Sequence, residues 1–330
     1  MKMVVLDGYT LNPGDNPWDE VASFGDLTLY DRTPAEMVVE RSLGAQVLLT
    51  NKTVLSAATL AALPELRLVC VLATGYNVVD LEKSAQLGIP VVNVPEYGSD
   101  SVAQHAIALL LELTNRVAQY HQAVARGEWS ASADFTLVGE PLTELCGRSI
   151  GIVGLGRIGA RVARIAQALG MEVLAYNPRR RVAPEGISLR WLSLDQLFSQ
   201  ADVVSLHCPL NNENEWMVNQ RTLSLMKPQA LLINTSRGGL VVERDLAEAL
   251  NSGSIAGAAV DVAAREPIPA DSPLLLAKNC IVTPHIAWAT LAARQRLMAA
   301  TAANIASFLA GKPQNVVNGV QLQVPITATN

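Results

Sequence analysis

The chain has 330 residues, half of them apolar and 17% charged, with 25 lysines and arginines against 30 aspartates and glutamates, a formal net charge of −5. That apolar content excludes wholesale disorder, the length predicts two domains, and the mildly acidic balance gives no basic face for nucleic acid. The four cysteines, Cys70, Cys146, Cys208 and Cys280, stand at spacings of 76, 62 and 72. Such spacing gives no sign of a zinc knuckle, a redox dithiol or a disulfide scaffold, so no metal is expected and a reducing compartment fits. The N-terminal apolar run is cut by Asp7, and the longest strongly apolar stretch, residues 106–111, falls short of the ~20 residues that span a bilayer. A cytoplasmic protein without a membrane partner is predicted.

Short β-branched runs separated by helical segments mark the strands. In the first third they cover residues 3–6, 27–30, 45–49, 68–72 and 90–93. Most are apolar without alternation, the pattern of a parallel sheet covered on both faces. The longest helical pattern follows. Asp100 or Ser101 can cap it, and Val102, Ala106, Leu109, Leu110, Leu113, Val117 and Val124 recur at three- and four-residue steps that slip near the end. This predicts one helix over 101–126, either a buried core element or a linker helix at a subunit interface. Residues 127–146, with Trp129, read as a long loop.

The strand rhythm restarts at 149–153, 172–176, 202–206, 230–233, 257–260 and 280–282, and residues 319–330 read as a tail. Alternating strands and helices predict a doubly wound α/β fold, and two such series predict two parallel-sheet domains.

Gly154, Gly156 and Gly159 form a G-x-G-x-x-G pattern. An apolar strand precedes it, a helix with Ile158, Val162, Ile165, Ala166 and Leu169 on one face follows, Gly170 ends that helix, and a second strand comes next. This is the βαβ context of a dinucleotide-binding Rossmann unit. There the amides near Arg157 and Ile158, at the helix start, face the pyrophosphate. The second strand runs into Tyr176-Asn177-Pro178-Arg179-Arg180-Arg181. An acid at the Asn177 position would bind a ribose 2′-hydroxyl and repel a 2′-phosphate. Neutral Asn177 followed by the three arginines Arg179, Arg180 and Arg181 predicts that NADP(H) is tolerated or preferred alongside NAD(H). The alternative is that the arginines form a solvated loop.

Three further segments each follow an apolar strand: Asn234-Thr235-Ser236-Arg237-Gly238, Asp261 through Glu266-Pro267, and Thr283-Pro284-His285-Ile286-Ala287-Trp288. In open α/β sheets ligands bind beyond the carboxyl ends of strands, which makes Arg237, Glu266 and His285 candidates for one site.

Together with the Ala73-Thr74-Gly75-Tyr76 turn and His207-Cys208-Pro209-Leu210, these motifs resemble the D-isomer-specific 2-hydroxyacid dehydrogenase family over roughly residues 43–313. The opening Leu6-Asp7-Gly8-Tyr9 through Asp15, with His285 through Thr290, is most similar to its glycerate dehydrogenase (hydroxypyruvate reductase) branch. The resemblance implies a Rossmann cofactor domain, 101–286, inserted into a flavodoxin-like substrate domain, 1–100 plus 287–330. A homodimer joined through the cofactor domains is also implied. So is NAD(P)H-dependent reduction of a small 2-keto acid, hydroxypyruvate or glyoxylate, to the D-2-hydroxy acid, and the reverse.

Arg237 would then hold the substrate carboxylate and polarise its carbonyl. His285 would be the acid/base, histidine being the side chain whose ordinary pKa lies nearest neutrality, and Glu266 would orient its ring. Ala73, Thr74 and Gly75 match the family's substrate-carboxylate turn, and Thr74 also a cofactor position. Asp261 matches the nicotinamide-carboxamide contact. Cys208, Thr235, Ser236 and Ala287, with Arg237 and His285, match positions lining the cofactor. Trp288 borders the substrate or nicotinamide, or belongs to the core. Gln104 stands where many relatives carry Glu. Readings that remain open are a formate- or phosphite-type dehydrogenase of the same fold and a corepressor-like nucleotide sensor without catalysis.

Overall fold

The computed structural model describes residues 1–179 and 182–321. By contacts the chain divides into two units, Met1–Gly98 with the residues from Ala289 onward, and Ser99–Trp288. Arg180, Arg181 and most of the expected tail lie outside the described residues.

The first unit holds a five-stranded parallel sheet built from β1 (Lys2–Val5), β2 (Asp26–Leu29), β3 (Val47–Thr50), β4 (Leu68–Val71) and β5 (Val91–Val92), in the order β2-β1-β3-β4-β5. Successive side chains of a strand point to opposite faces, and here both faces are covered. Met3, Val5, Leu49, Leu68 and Cys70 pack with Leu297, Met298, Ile305 and Phe308 of the helix Leu291–Leu309. Val4, Leu48, Val69 and Val71 pack on the other side with Leu60 and Leu63. This two-sided burial is why the strands read as unbroken apolar runs. Buried Arg294 of the same helix clamps Asp15 at 2.5 and 2.7 Å, a bidentate pair that ties the 8–15 loop to the domain.

The second unit holds seven parallel strands: β6 (Ser149–Val153), β7 (Glu172–Tyr176), β8 (Arg190–Trp191), β9 (Val203–Leu206), β10 (Leu231–Asn234), β11 (Gly257–Val260) and β12 (Cys280–Val282). Their order, β12-β11-β10-β9-β6-β7-β8, reverses direction at β6, next to β9. That is the topological switch point at which doubly wound sheets bind ligands. One face packs Val153, Val204, Leu232 and Val260 against Leu197, Phe198, Leu246 and Leu250. The other packs Ile150, Ile152, Val173 and Ile233 against Ala103, Ala106, Ile107, Val162 and Ala166. Two-residue β8 has no pattern of its own and was not expected from the sequence.

The single helix expected over 101–126 is two. Helix α1 (Ser99–Asn115) ends and α2 (Val117–Ala125) begins around Arg116, which is left-handed at φ 52° and ψ 38°. The cause is local competition for backbone groups. The Glu112 carboxylate accepts from the Ala118 amide at 3.1 Å, and the Asn115 and Thr114 side chains bond carbonyls of the preceding turn. The slip in the apolar steps marks this break. Val117 and Val124 are exposed. Residues 127–146 contain no helix or strand, and Trp129, Phe135, Val138 and Leu142 on them are exposed.

At the opposite edge of the sheet from the loops discussed next, Asp202 joins the starts of β6 and β9. It accepts from the Ser149 amide and hydroxyl at 2.8 Å each and from Lys227 Nζ at 2.7 Å. Burial works to raise the Asp202 pKa, but Lys227 and the Ser149 donors outweigh it and hold the carboxyl below its ordinary value. A depressed folded-state pKa adds stability above the unfolded-state value near 4, which is lost as pH falls through the folded one. Asp202→Ala is therefore expected to cost about 1–2 kcal/mol at pH 7 and progressively less below about pH 4. Thermal melts at both pH values check this; an equal loss at pH 7 and pH 3 would contradict it.

Candidate active site

Parallel pairing fixes where the chemistry-bearing residues emerge. Tyr176, Val153, Leu206, Asn234, Val260 and Val282 are successive register partners across six strands. At about 4.8 Å per strand this row spans about 24 Å, and every loop that follows it leaves the same edge. Gly154 and Gly156 follow β6, Asn177 and Arg179 follow β7, and Cys208 follows β9. Thr235, Ser236 and Arg237 follow β10, Asp261 and Glu266 follow β11, and His285, Ala287 and Trp288 follow β12.

The glycine turn is shaped for a close visitor. Gly154 has φ 95°, and a Cβ there would lie 2.7 Å from the Cys208 amide nitrogen. Gly159 lets helix α3 (Arg157–Ala168) press on the turn, since a Cβ there would collide with the Gly154 carbonyl oxygen. Gly156 is different: nothing lies within 4 Å of its Cβ position, and no side chain caps the helix that starts behind it. A helix of this length whose N-terminus carries no side-chain cap and starts behind an open glycine fits a pyrophosphate. A second observation agrees. The Thr235 hydroxyl on the same edge is buried without a hydrogen-bond partner, as is Nδ1 of His207.

His207 was noticed in the sequence only as part of a motif. Its Nε2 lies 2.8 Å from Ser205 Oγ, and burial pushes its pKa down to about 4, so it is neutral at pH 7. Burial pushes the neighbouring Cys208 thiol up to about 11, so it is not a thiolate nucleophile at neutral pH. Ser236 Oγ donates to Leu206 O at 2.7 Å and fixes its loop to β9. Asn177 is half-buried, and Arg179 is exposed and 3.4 Å from Glu213, an acid that the sequence reading did not single out.

The histidine and the glutamate meet. His285 Nδ1 lies 2.7 Å from Glu266 Oε2, while Glu266 Oε1 accepts from the Ala263 amide at 3.1 Å. With Nδ1 donating to a carboxylate, Nε2 is the nitrogen available to a substrate. His285 itself has φ 55°, and its amide donates to Asp261 O at 2.8 Å. The Asp261 carboxylate, only 1% exposed, accepts from Thr283 Oγ1 at 2.6 Å and from the Ile286 and Ala287 amides at 2.9 Å each. Burial pulls its pKa up, but His105, Thr283 and the two amides outweigh burial and hold it below the ordinary carboxylate range. Asp261 thus stays ionised and is wrapped by the loop that carries His285.

Arg237 is exposed, and its Nη1 donates to Ser236 O at 2.7 Å. Its loop lies against the Glu266 loop because a Cβ on Gly238 would collide with the Ala263 backbone. Ala287 is buried and Trp288 half-buried. The turn Ala73, Thr74 and Gly75 belongs to the first unit, at the carboxyl end of β4. There Thr74 Oγ1 donates to Val94 O at 3.0 Å and Asn93 Nδ2 to Thr74 O at 2.8 Å. His105 of α1, which the sequence reading passed over, lies 3.1 Å from Thr283 Oγ1 and 3.5 Å from Asp261. Among the described residues, no helix is long and apolar enough to cross a membrane, and no group of three or more His, Cys, Asp or Glu side chains is placed to hold a metal.

Comparison with known proteins gives this edge its context. Residues 107–287 match the D-isomer specific 2-hydroxyacid dehydrogenase NAD-binding domain. The chain is 49% identical to the hydroxypyruvate reductase of Blautia hydrogenotrophica over 96% of its own length and 100% of that protein. It is 42% identical to the glycerate dehydrogenase of Methylorubrum extorquens over 86% and 89%. The NADPH-dependent glyoxylate/hydroxypyruvate reductase of Sinorhizobium meliloti, solved with NADP and malonate, superposes with a TM-score of 0.84 at 28% identity, covering 98% of this chain and 99% of that one. The chain belongs to the D-isomer-specific 2-hydroxyacid dehydrogenase family and is an NAD(P)-dependent oxidoreductase acting on a CH–OH group.

Proposed function

We propose that the protein reduces hydroxypyruvate, and glyoxylate as a smaller substrate of the same class, to the D-2-hydroxy acid, and catalyses the reverse oxidation. The observation that carries this reading is the 2.7 Å His285–Glu266 pair on the same sheet edge as the open glycine turn. The names of two relatives at 49% and 42% identity support the substrate class.

The cofactor would be held by the amides of Gly156, Arg157 and Ile158 at the start of α3, with Thr235, Ser236, Cys208 and Ala287 lining it and Asn177 and Arg179 meeting its ribose. When bound in reduced form, it supplies the hydride that adds to the substrate's carbonyl carbon. His285 Nε2 delivers the proton that the carbonyl oxygen takes up, and in the oxidative direction it receives the hydroxyl proton. Glu266 fixes the ring and its tautomer through Nδ1. Arg237 presents a planar fork of donors to the substrate carboxylate and draws electron density from the adjacent carbonyl. The chain acts as a homodimer joined through its cofactor domains, with the exposed apolar residues of α2 and 127–146 at the contact. It resides in the cytoplasm, where its four cysteines stay reduced.

His285→Ala is expected to lower kcat by ~10²–10⁴. Near-normal turnover of hydroxypyruvate would remove His285 from the mechanism. Arg237→Ala is expected to raise KM and lower kcat together, whereas a pure KM effect would make it an anchor alone. Glu213 lies 3.4 Å from Arg179 and competes with a 2′-phosphate for that guanidinium. Charges about 4 Å apart in water interact by ~1 kcal/mol. Glu213→Gln should therefore tighten NADPH about fivefold, and Arg179→Ala should weaken it, with NADH binding unmoved in both. Fluorescence titrations give the dissociation constants, and equal shifts for the two cofactors would refute the assignment.

A further inference from the structure

We infer that His105 is a positioning residue for the proton-transfer step, acting through Thr283 and Asp261 on the loop that holds His285. The inference rests on the assignment of His285 as the proton donor. It starts from the backbone: at φ 55° His285 occupies the left-handed region, which is strained for a non-glycine residue. Such a conformation persists only where its surroundings over-determine it.

Here one carboxylate grips the loop on both sides of the histidine. Asp261 accepts from Thr283, two residues before His285, and from Ile286 and Ala287, the two residues after it. The grip on the leading side depends on the Thr283 hydroxyl. That hydroxyl has one proton and gives it to Asp261 at 2.6 Å, so toward His105, 3.1 Å away, its oxygen is an acceptor. His105 Nε2–H is then the donor that keeps the hydroxyl turned to Asp261. The same nitrogen is 3.5 Å from Asp261 Oδ1, which adds an attractive partner to a carboxylate that is almost wholly buried.

His105 is well placed to act as a fixed point. Its helix is locked into the sheet by Ala103, Ala106, Ile107 and Leu110, which pack with Ile233 and Val203. The ring is 21% exposed and 178 positions away in sequence from Thr283. Its contribution is thus a tertiary strut between a rigid helix and a strained loop. It touches no atom assigned to substrate or cofactor.

The test compares His105→Leu, which keeps bulk and loses the donor, with His105→Gln, which keeps an N–H of similar reach. In the full-length protein, His105→Leu should speed amide hydrogen exchange at Ile286 and Ala287 at least tenfold and leave β9 and β10 unchanged. It should also lower kcat about ten- to a hundredfold with little change in KM, the scale expected for slight misplacement of a reacting group. His105→Gln should recover most of both. Thr283→Val should reproduce the His105→Leu effects, and the double variant should be no worse than either single one. The inference is overturned if exchange at 286–287 stays at the wild-type rate in His105→Leu and Thr283→Val, if Gln behaves as Leu does, or if the two substitutions add. Should wild-type protein fail to turn over any 2-keto acid, the assignment of His285 fails, while the exchange comparison still decides whether His105 holds the loop.

Discussion

The register of one parallel sheet is the constraint on which the site depends. Six strand ends are aligned as neighbours, so residues from Gly154 to Trp288 emerge on one edge although they are scattered over more than 130 positions. A one-residue slip of β12 against β11 would turn His285 away from Glu266 and detach its loop from Asp261. The apolar filling of both faces enforces that register, because a slipped strand would still be apolar but would no longer interdigitate with Leu197, Phe198, Ala106 or Ile107. Packing energy in the core is thereby converted into positional precision at the edge.

At that edge two carboxylates serve different ends. Glu266 is partly exposed and meets the imidazole directly, so in the proposed mechanism it acts on the reacting group. Asp261 is buried, ionised and spent on its own chain, so it acts on the backbone that presents that group. The arrangement separates chemistry from support. A left-handed histidine is tolerated because a buried anion with several donors holds the residues around it, and preorganisation of this kind lets an acid act without reorganising the loop in each turnover.

Much of this was legible in the sequence because the signals were local. Apolar runs without alternation report two-sided burial within each strand, and the glycine spacing reports a turn, a close approach and a packed helix within six residues. What stayed hidden depends on distance in sequence. The pairing of His105 with Thr283, and of Arg179 with Glu213, joins residues that no pattern links. The orphaned Thr235 hydroxyl is visible only once burial is known. The break at Arg116 had a trace, the slipped apolar steps. Its cause, the Glu112 carboxylate reaching the Ala118 amide, is a side-chain contact that helical periodicity does not encode.

The most direct measurement of the central claim is cofactor oxidation by the purified wild-type protein with hydroxypyruvate, followed by chiral analysis of the product. One D-glycerate should appear for each NADH or NADPH consumed. A folded protein that binds the dinucleotide yet consumes none with hydroxypyruvate, glyoxylate or any other 2-keto acid would contradict the account and make the edge a sensor of nucleotide.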